Sequence, residues 1–185
     1  MNLVEQAQKE RLALHELLRE KKGGLAWCQL YTDWADRLVQ AIFEESKEGE
    51  DVQLALVATG GYGRRELSPC SDIDISLVSL GQGKTAPDAV IKRLFRGLHS
   101  IFAEGLKMHV GYSYRVPGDA PGLDGKSRTA LIDARLVAGD SDCLDSLLES
   151  LWANFPTPQF SIKSFKNAKS PDGAQTIRPL PLSQI

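Results

Sequence analysis

Asp72 and Asp74 stand two residues apart at the mouth of an apolar run, Ile73-Asp-Ile-Ser-Leu-Val-Ser-Leu80. A strand has a side-chain period of two, so both carboxylates face one way while Ile73, Ile75 and Leu77 face a core. Upstream, a second apolar run from Leu54 to Ala58 leads into Gly60, Gly61 and Gly63. Backbone N–H groups in such a turn can approach an anion closely because no Cβ intervenes. A helical turn beginning near Tyr62 would aim its positive end at the same anion. Carboxylate oxygens suit Mg²⁺, which takes few carboxylates and completes its shell with water and phosphate oxygens. The chemistry read from these residues is that of a metal-bound polyphosphate. Asp72 and Asp74 are the expected catalytic, metal-holding groups, and Gly60, Gly61, Arg64 and Ser71 the expected phosphate contacts. Two Mg²⁺ ions could stabilise the attacking and leaving oxygens of an in-line displacement at phosphorus.

Each residue has an ordinary reading as well. The glycines could simply make a turn, Asp72 could cap its own loop, and Ser71 could be a loop hydrogen-bonder. Arg64 and Glu66 could be a surface pair, while Tyr62 is expected to pack. Their order is what carries information: apolar strand, Gly60-Gly61, a short spacer, then Asp72-Ile-Asp74 opening another apolar strand.

These residues need elements to hold them. Leu3, Val4, Ala7, Leu12, Leu14, Leu17 and Leu18 mark an amphipathic helix over 3–22, with Lys21-Lys22-Gly23-Gly24 at its end. A second helix is expected over 25–46, with Trp27, Leu30, Tyr31, Trp34, Leu38, Ala41 and Ile42 as its core stripe. Gly81 to Thr85 reads as a turn whose spacing excludes a Walker A loop, and Pro87 suits a first helical turn. Val90, Ile91, Leu94, Phe95, Leu98, Ile101 and Phe102 predict a helix ending at Gly105. Residues 107–116 alternate, with Met108, Val110, Tyr112, Tyr114 and Val116 on one face and His109, Gly111, Ser113 and Arg115 on the other, so a third strand is expected. A turn-rich loop follows from Pro117 to Gly125, then a short helix capped by Ser127, then a last helix capped by Asp140 or Ser141 with Leu144, Leu147, Leu148, Leu151 and Trp152 on one stripe. The expected organisation is an N-terminal helical pair over 1–50 packed on the core, a central domain over 51–155, and an extended, proline-containing tail over 156–185. The fold class is α/β (α+β): a small mixed sheet with the glycine turn and aspartate pair at one edge, its apolar face covered by the helical pair and the 86–105 helix.

The chain has 185 residues, enough for one domain with a proper core. Its formal net charge of −2 gives no basic field for bulk nucleic-acid binding. Its 3 cysteines, Cys28, Cys70 and Cys143, are widely spaced and suit neither a disulfide framework nor a zinc site. His15, His99 and His109 form no ligand spacing. No apolar run approaches transmembrane length and no secretory signal core is visible, so no membrane contact and a cytoplasmic location are expected.

Strand, Gly-Gly, spacer and Asp-Ile-Asp together resemble the signature of the DNA polymerase β-type nucleotidyltransferase superfamily. Within it, Gly60-Gly-Tyr-Gly-Arg-Arg-Glu-Leu-Ser-Pro-Cys-Ser-Asp-Ile-Asp74 is similar to the bacterial PII uridylyltransferase/uridylyl-removing enzyme family. The likeness extends more weakly over 1–155, through the helical pair, the Gly111-Ser113-Arg115 strand and Leu131-Ile-Asp-Ala-Arg-Leu-Val-Ala-Gly-Asp140, but not into the tail. It implies a polymerase β-like fold and transfer of a nucleoside monophosphate, UMP by analogy, from a nucleoside triphosphate to a hydroxyl. The implied acceptor is a tyrosine of a PII-type signalling protein. Two departures stand out. Arg65 occupies a position where that family usually has glycine. Strand 107–116 carries no acid to join the aspartate pair, which leaves Asp133 as the candidate third metal ligand, against an ordinary pairing with a nearby arginine. The family's hydrolytic metal domain and sensing domains have no counterpart in this sequence, so a fragment or a stand-alone transferase domain is implied. Two other readings remain open: a non-catalytic nucleotide-binding or regulatory module, and a small-molecule nucleotidyltransferase.

Overall fold

A four-stranded mixed sheet in the order β3-β2-β1-β4 is the framework on which the glycine turn and the aspartates are mounted. The computed structural model describes residues 3–20, 24–49, 51–80 and 88–154. Two helices, α1 (Leu3–Arg19) and α2 (Leu25–Lys47), precede β1 (Leu54–Ala58). A four-residue helical turn, α3 (Gly60–Gly63), leads to β2 (Ile73–Ser79). Then come α4 (Asp88–Leu98), a π-helical segment (His99–Gly105) and β3 (Val110–Arg115). A 3₁₀ helix (Pro117–Gly122), α5 (Gly125–Ile132), β4 (Arg135–Gly139) and α6 (Ser141–Ala153) complete the described chain. The expected end of the first helix at Lys21 to Gly23, the 81–85 turn with Pro87, and the 156–185 tail lie outside the described residues.

Strand β1 is buried at all five positions. Leu54, Leu56 and Ala58 pack on one side of the sheet, Ala55 and Val57 on the other. That two-sided burial is why its sequence is a continuous apolar run rather than an alternating one. Strands β2 and β4 both pair antiparallel to β1, whereas β3 runs parallel to β2. The parallel pair requires a long crossover, supplied by α4 and the π segment.

One face is covered by α2, α4 and the π segment, with α1 against the outside of α2. Trp27, Tyr31 and Trp34 stack along α2, with ring centroids 4.8 and 4.9 Å apart. Leu30 and Ala41, expected in this stripe, are exposed, and the buried face turns instead toward Thr32, Ala35, Asp36 and Val39. The reason is that α2 faces the glycine turn as well as the sheet. Leu12 and Leu18 of α1 are also exposed. Buried positions Val90, Leu94, Leu98 and Phe102 recur every four residues, a spacing that drifts around a 3.6-residue helix. The wider π turn returns Phe102 to the core.

The second face packs α6 and part of α5 on Ala55, Val57 and Val78. Here the structure corrects several expectations. Asp124, not Ser127, caps α5, its carboxylate accepting from Ser127 N at 2.7 Å. Asp140 caps α6. Trp152 is 54% exposed and does not join the α6 stripe. Residues 135–139, for which no strand is expected from the sequence, form an edge strand. The glycine turn and aspartate pair sit not along an edge but at the ends of the two central strands.

Candidate active site

Because β1 and β2 are antiparallel with Ala58 opposite Ile75, the exit of β1 and the entry of β2 meet at one end of the sheet. Thr59 N donates to Asp74 O at 3.1 Å and extends that ladder by one rung. The chain then turns into α3, which starts at Gly60 rather than at Tyr62. A Cβ built on Gly60 would lie 3.6 Å from Asp74 Oδ2, so the turn and the second aspartate are neighbours. Across the sheet Asp74 is in register with Gly111 of β3. A Cβ at Gly111 would come within 2.3 Å of Asp74 Oδ1, so the absence of a side chain there is what gives the carboxylate its place.

Asp72 and Asp74 face a cleft of about 430 Å³ on the second face of the sheet, whose walls include Ser76 of β2, Ser113 and Arg115 of β3 and Lys126 of α5. Ser76 Oγ and Ser113 Oγ share a 2.6 Å hydrogen bond along its floor. Arg115 Nη2 reaches Ser127 Oγ at 3.4 Å.

A seam of polar residues on α2 fixes the glycine turn from behind. Arg135 of β4 donates to Asp36 Oδ2 and Oδ1 at 2.9 and 3.1 Å, to Gly63 O at 3.2 Å and to Tyr62 O at 3.3 Å. Its guanidinium lies 5.5 Å from the centroid of the buried Tyr62 ring. One side chain thus satisfies carbonyls at the end of the helical turn and ties them bidentately to α2. Thr32 Oγ1 accepts from Leu67 N at 3.3 Å, and Arg65 pairs with Asp33. Gly63 fits tightly: a Cβ there would lie 2.0 Å from the carbonyl oxygen of Asp133.

Several expected site residues stand apart from the cleft lining. Arg64 is held by Glu66 at 2.8 Å and Asp133 at 2.5 Å. The arginine that pairs with Asp133 is therefore Arg64 of the glycine loop. Ser71 Oγ bonds Ser68 Oγ at 2.7 Å and accepts from Ser68 N at 3.2 Å, the geometry of a loop hydrogen-bonder. Arg65 has φ 62, a left-handed conformation that costs a side chain about 1–2 kcal/mol. That is a physical reason for glycine at this position, and here the half-exposed ion pair to Asp33 returns only a part of the cost. Among the described residues no three His, Cys, Asp or Glu side chains converge to hold one ion. The donor set of Asp72 and Asp74 still suits Mg²⁺, which keeps most of its shell for water and substrate oxygens.

Three relatives give this arrangement a context. The chain is 35% identical over 133 residues, 70% of its length, to a bifunctional uridylyltransferase/uridylyl-removing enzyme of Streptomyces coelicolor. It is 32% identical over 148 residues, 78% of its length, to one of Chromobacterium violaceum. It is also 32% identical over 120 residues, 63% of its length, to one of Novosphingobium aromaticivorans. The chain carries a domain of the bifunctional uridylyltransferase/uridylyl-removing enzyme family. It spans only 13% to 19% of the length of the curated relatives it matches. No protein-family model matches it. No described helix is long and apolar enough to cross a membrane.

In this uridylyltransferase-family domain the aspartates are electrostatically distinct. Burial and the charge of Asp72 push the Asp74 carboxyl above its usual range, against the opposing pull of Lys126. Burial, with the Asp36 carboxylate beside it, holds the Tyr62 phenol well above its ordinary value, so that side chain remains neutral. Sequence reasoning missed Lys126 and the Asp36–Arg135 clamp. Nothing local distinguishes Lys126, which follows a glycine in the first turn of a short helix. Arg135 lay within a noted stretch, Leu131 to Asp140, but its partner is 99 positions away.

Proposed function

We propose that this domain is a nucleotidyltransferase that moves a nucleoside monophosphate, UMP, from a triphosphate to a tyrosine hydroxyl of a PII-type signalling protein. The acceptor oxygen bonds to the α-phosphorus, the bond to the leaving pyrophosphate breaks, and the hydroxyl proton passes to solvent. The observation that carries this reading is the cleft itself, lined by two carboxylates of one strand and by two cations, with Gly60 of the adjoining turn beside Asp74 though outside the lining. The relatives' names support the uridylyl group and a transferase.

Mg²⁺, when bound, would neutralise phosphate oxygens as charge develops on the leaving group. Asp72 and Asp74 would hold it, with Asp74 kept in place by the bare Gly111 and by its backbone bond to Thr59. The N–H groups at the start of α3 would face the phosphates, and Arg135 holds that turn rigid through its carbonyls. Preorganised donors of this kind act without reorganising during the reaction.

The test is transfer of radiolabelled UMP from UTP to purified PII. Metal-dependent labelling that disappears in Asp72→Asn is the expected result. If the metal-replete chain binds nucleotide but labels nothing from any of the four triphosphates, the transferase reading is wrong for this chain. The second reading, a nucleotide-binding module without chemistry, would then stand. The absence of a converging third carboxylate among the described residues favours that alternative.

A further inference from the structure

The cations around the site fall into two sets. Arg64, Arg65 and Arg135, all in or against the glycine turn, are each ion-paired to at least one carboxylate. Arg115 and Lys126, on the opposite wall, form no ion pair among the described residues. Arg115 makes a 3.4 Å hydrogen bond to Ser127 Oγ and acts on the Asp124 carboxylate at the helix cap without pairing with it. The Lys126 ammonium acts on Asp74 across the cleft and on Asp124 at the helix cap without pairing with either. A cleft whose other wall carries two carboxylates repels a polyanion, so a bound polyphosphate needs cations that are not already neutralised.

We propose that Arg115 and Lys126, rather than Arg64 or Arg65, form the subsite for the polyphosphate tail of the nucleotide. The inference rests on the nucleotide reading of the cleft and assigns its walls. Asp72 and Asp74 face the phosphorus that reacts, and β3 and α5 face the phosphates that leave. Ser113 and Ser127, both in the lining, are hydroxyl donors beside the two cations. Lys126 is a flexible point charge, able to follow pyrophosphate as it departs, whereas Arg115 offers a planar fork.

Calorimetric titration with Mg²⁺ present tests this on the chain as it exists. UTP, UMP and inorganic pyrophosphate are each titrated into the wild type, Lys126→Gln, Arg115→Gln, Lys126→Arg and Lys92→Gln, an exposed cation on α4. Lys126→Gln and Arg115→Gln should each weaken UTP and pyrophosphate about tenfold or more, as expected for losing a charge-assisted contact. UMP should change by less than about twofold, Lys126→Arg should restore most of the loss, and Lys92→Gln should behave as wild type. Circular dichroism and thermal melting confirm that each variant is folded, and a misfolded Arg115→Gln leaves Lys126→Gln to decide the matter. If both Gln variants hold UTP and pyrophosphate as tightly as the wild type, or lose UMP in parallel with UTP, the subsite is overturned and the nucleotide reading survives. If the wild type itself binds neither UTP nor pyrophosphate, both fall together.

Discussion

The two faces of the sheet are built on different plans. On one, α2 and α4 lay a continuous apolar layer rich in aromatic rings, and every inward residue of β1 and β2 from Leu54 to Leu77 is buried. On the other, α6 covers Ala55, Val57 and Val78 with leucines and then stops. Following that second face along β2, the residues run from buried Val78 through Ser76 to exposed Asp74 and Asp72. The lesson is that the second helical layer sets the position of the site by ending short. The covered face supplies the rigidity that an open cleft cannot supply for itself.

That contrast can be broken or sharpened by substitution. The largest effect belongs to the covered face. Trp34→Ala empties a fully buried position and should cost about 3–5 kcal/mol in denaturant unfolding, with metal affinity of the remaining folded protein unchanged. Next is the bridge between the faces. Arg135→Lys loses the bidentate bond to Asp36 and the two carbonyl contacts; about 2–3 kcal/mol of stability should go, and nucleotide affinity with it. Retained affinity would show that the glycine turn holds its shape unaided. On the open face, Gly111→Ala should leave the melt within about 1 kcal/mol yet displace the Asp74 carboxylate, weakening Mg²⁺ about tenfold. A large loss of stability there would mean that the cleft is as tightly packed as the covered face.

The smallest effect has the opposite sign. The raised Asp74 pKa means that its charged form is less favoured in the folded chain than in the unfolded one. Ionisation therefore costs stability as pH rises through the carboxylate range. Asp74→Asn should melt slightly higher than the wild type at neutral pH, lose that advantage in acid where the aspartate is protonated, and abolish metal binding throughout.

Much of this was legible in the sequence because it is local. Strand β1 shows as a short continuous apolar run, and strand β2, the shared side of Asp72 and Asp74, and the aromatic stripe of α2 follow from periodicity within a few residues. Strand β4 was not legible: five residues, mostly half-buried at an edge, carry no clear alternation. The roles of the arginines were not legible either. Arg64 next to a glycine turn looks like a phosphate ligand until Asp133, 69 positions on, is seen to hold it. Whether a cation is free for a ligand depends on which carboxylates the fold brings to it, and a motif does not contain that information. Gly111 was read as one member of a polar face; only the strand register shows that it makes room for Asp74.

The Arg135 clamp has a further consequence for when the site comes into being. Its partners lie 72, 73 and 99 positions earlier in the chain, at Gly63, Tyr62 and Asp36. Contacts of such long range can form only once the intervening chain has been closed into a loop. During synthesis the glycine motif leaves the ribosome well before the arginine that fixes it. A nascent chain, or one cut anywhere before β4, would carry the entire Gly-to-Asp signature and still lack the preorganised turn. The motif is written early, but the clamp that holds it is in place only when the last strand of the sheet docks.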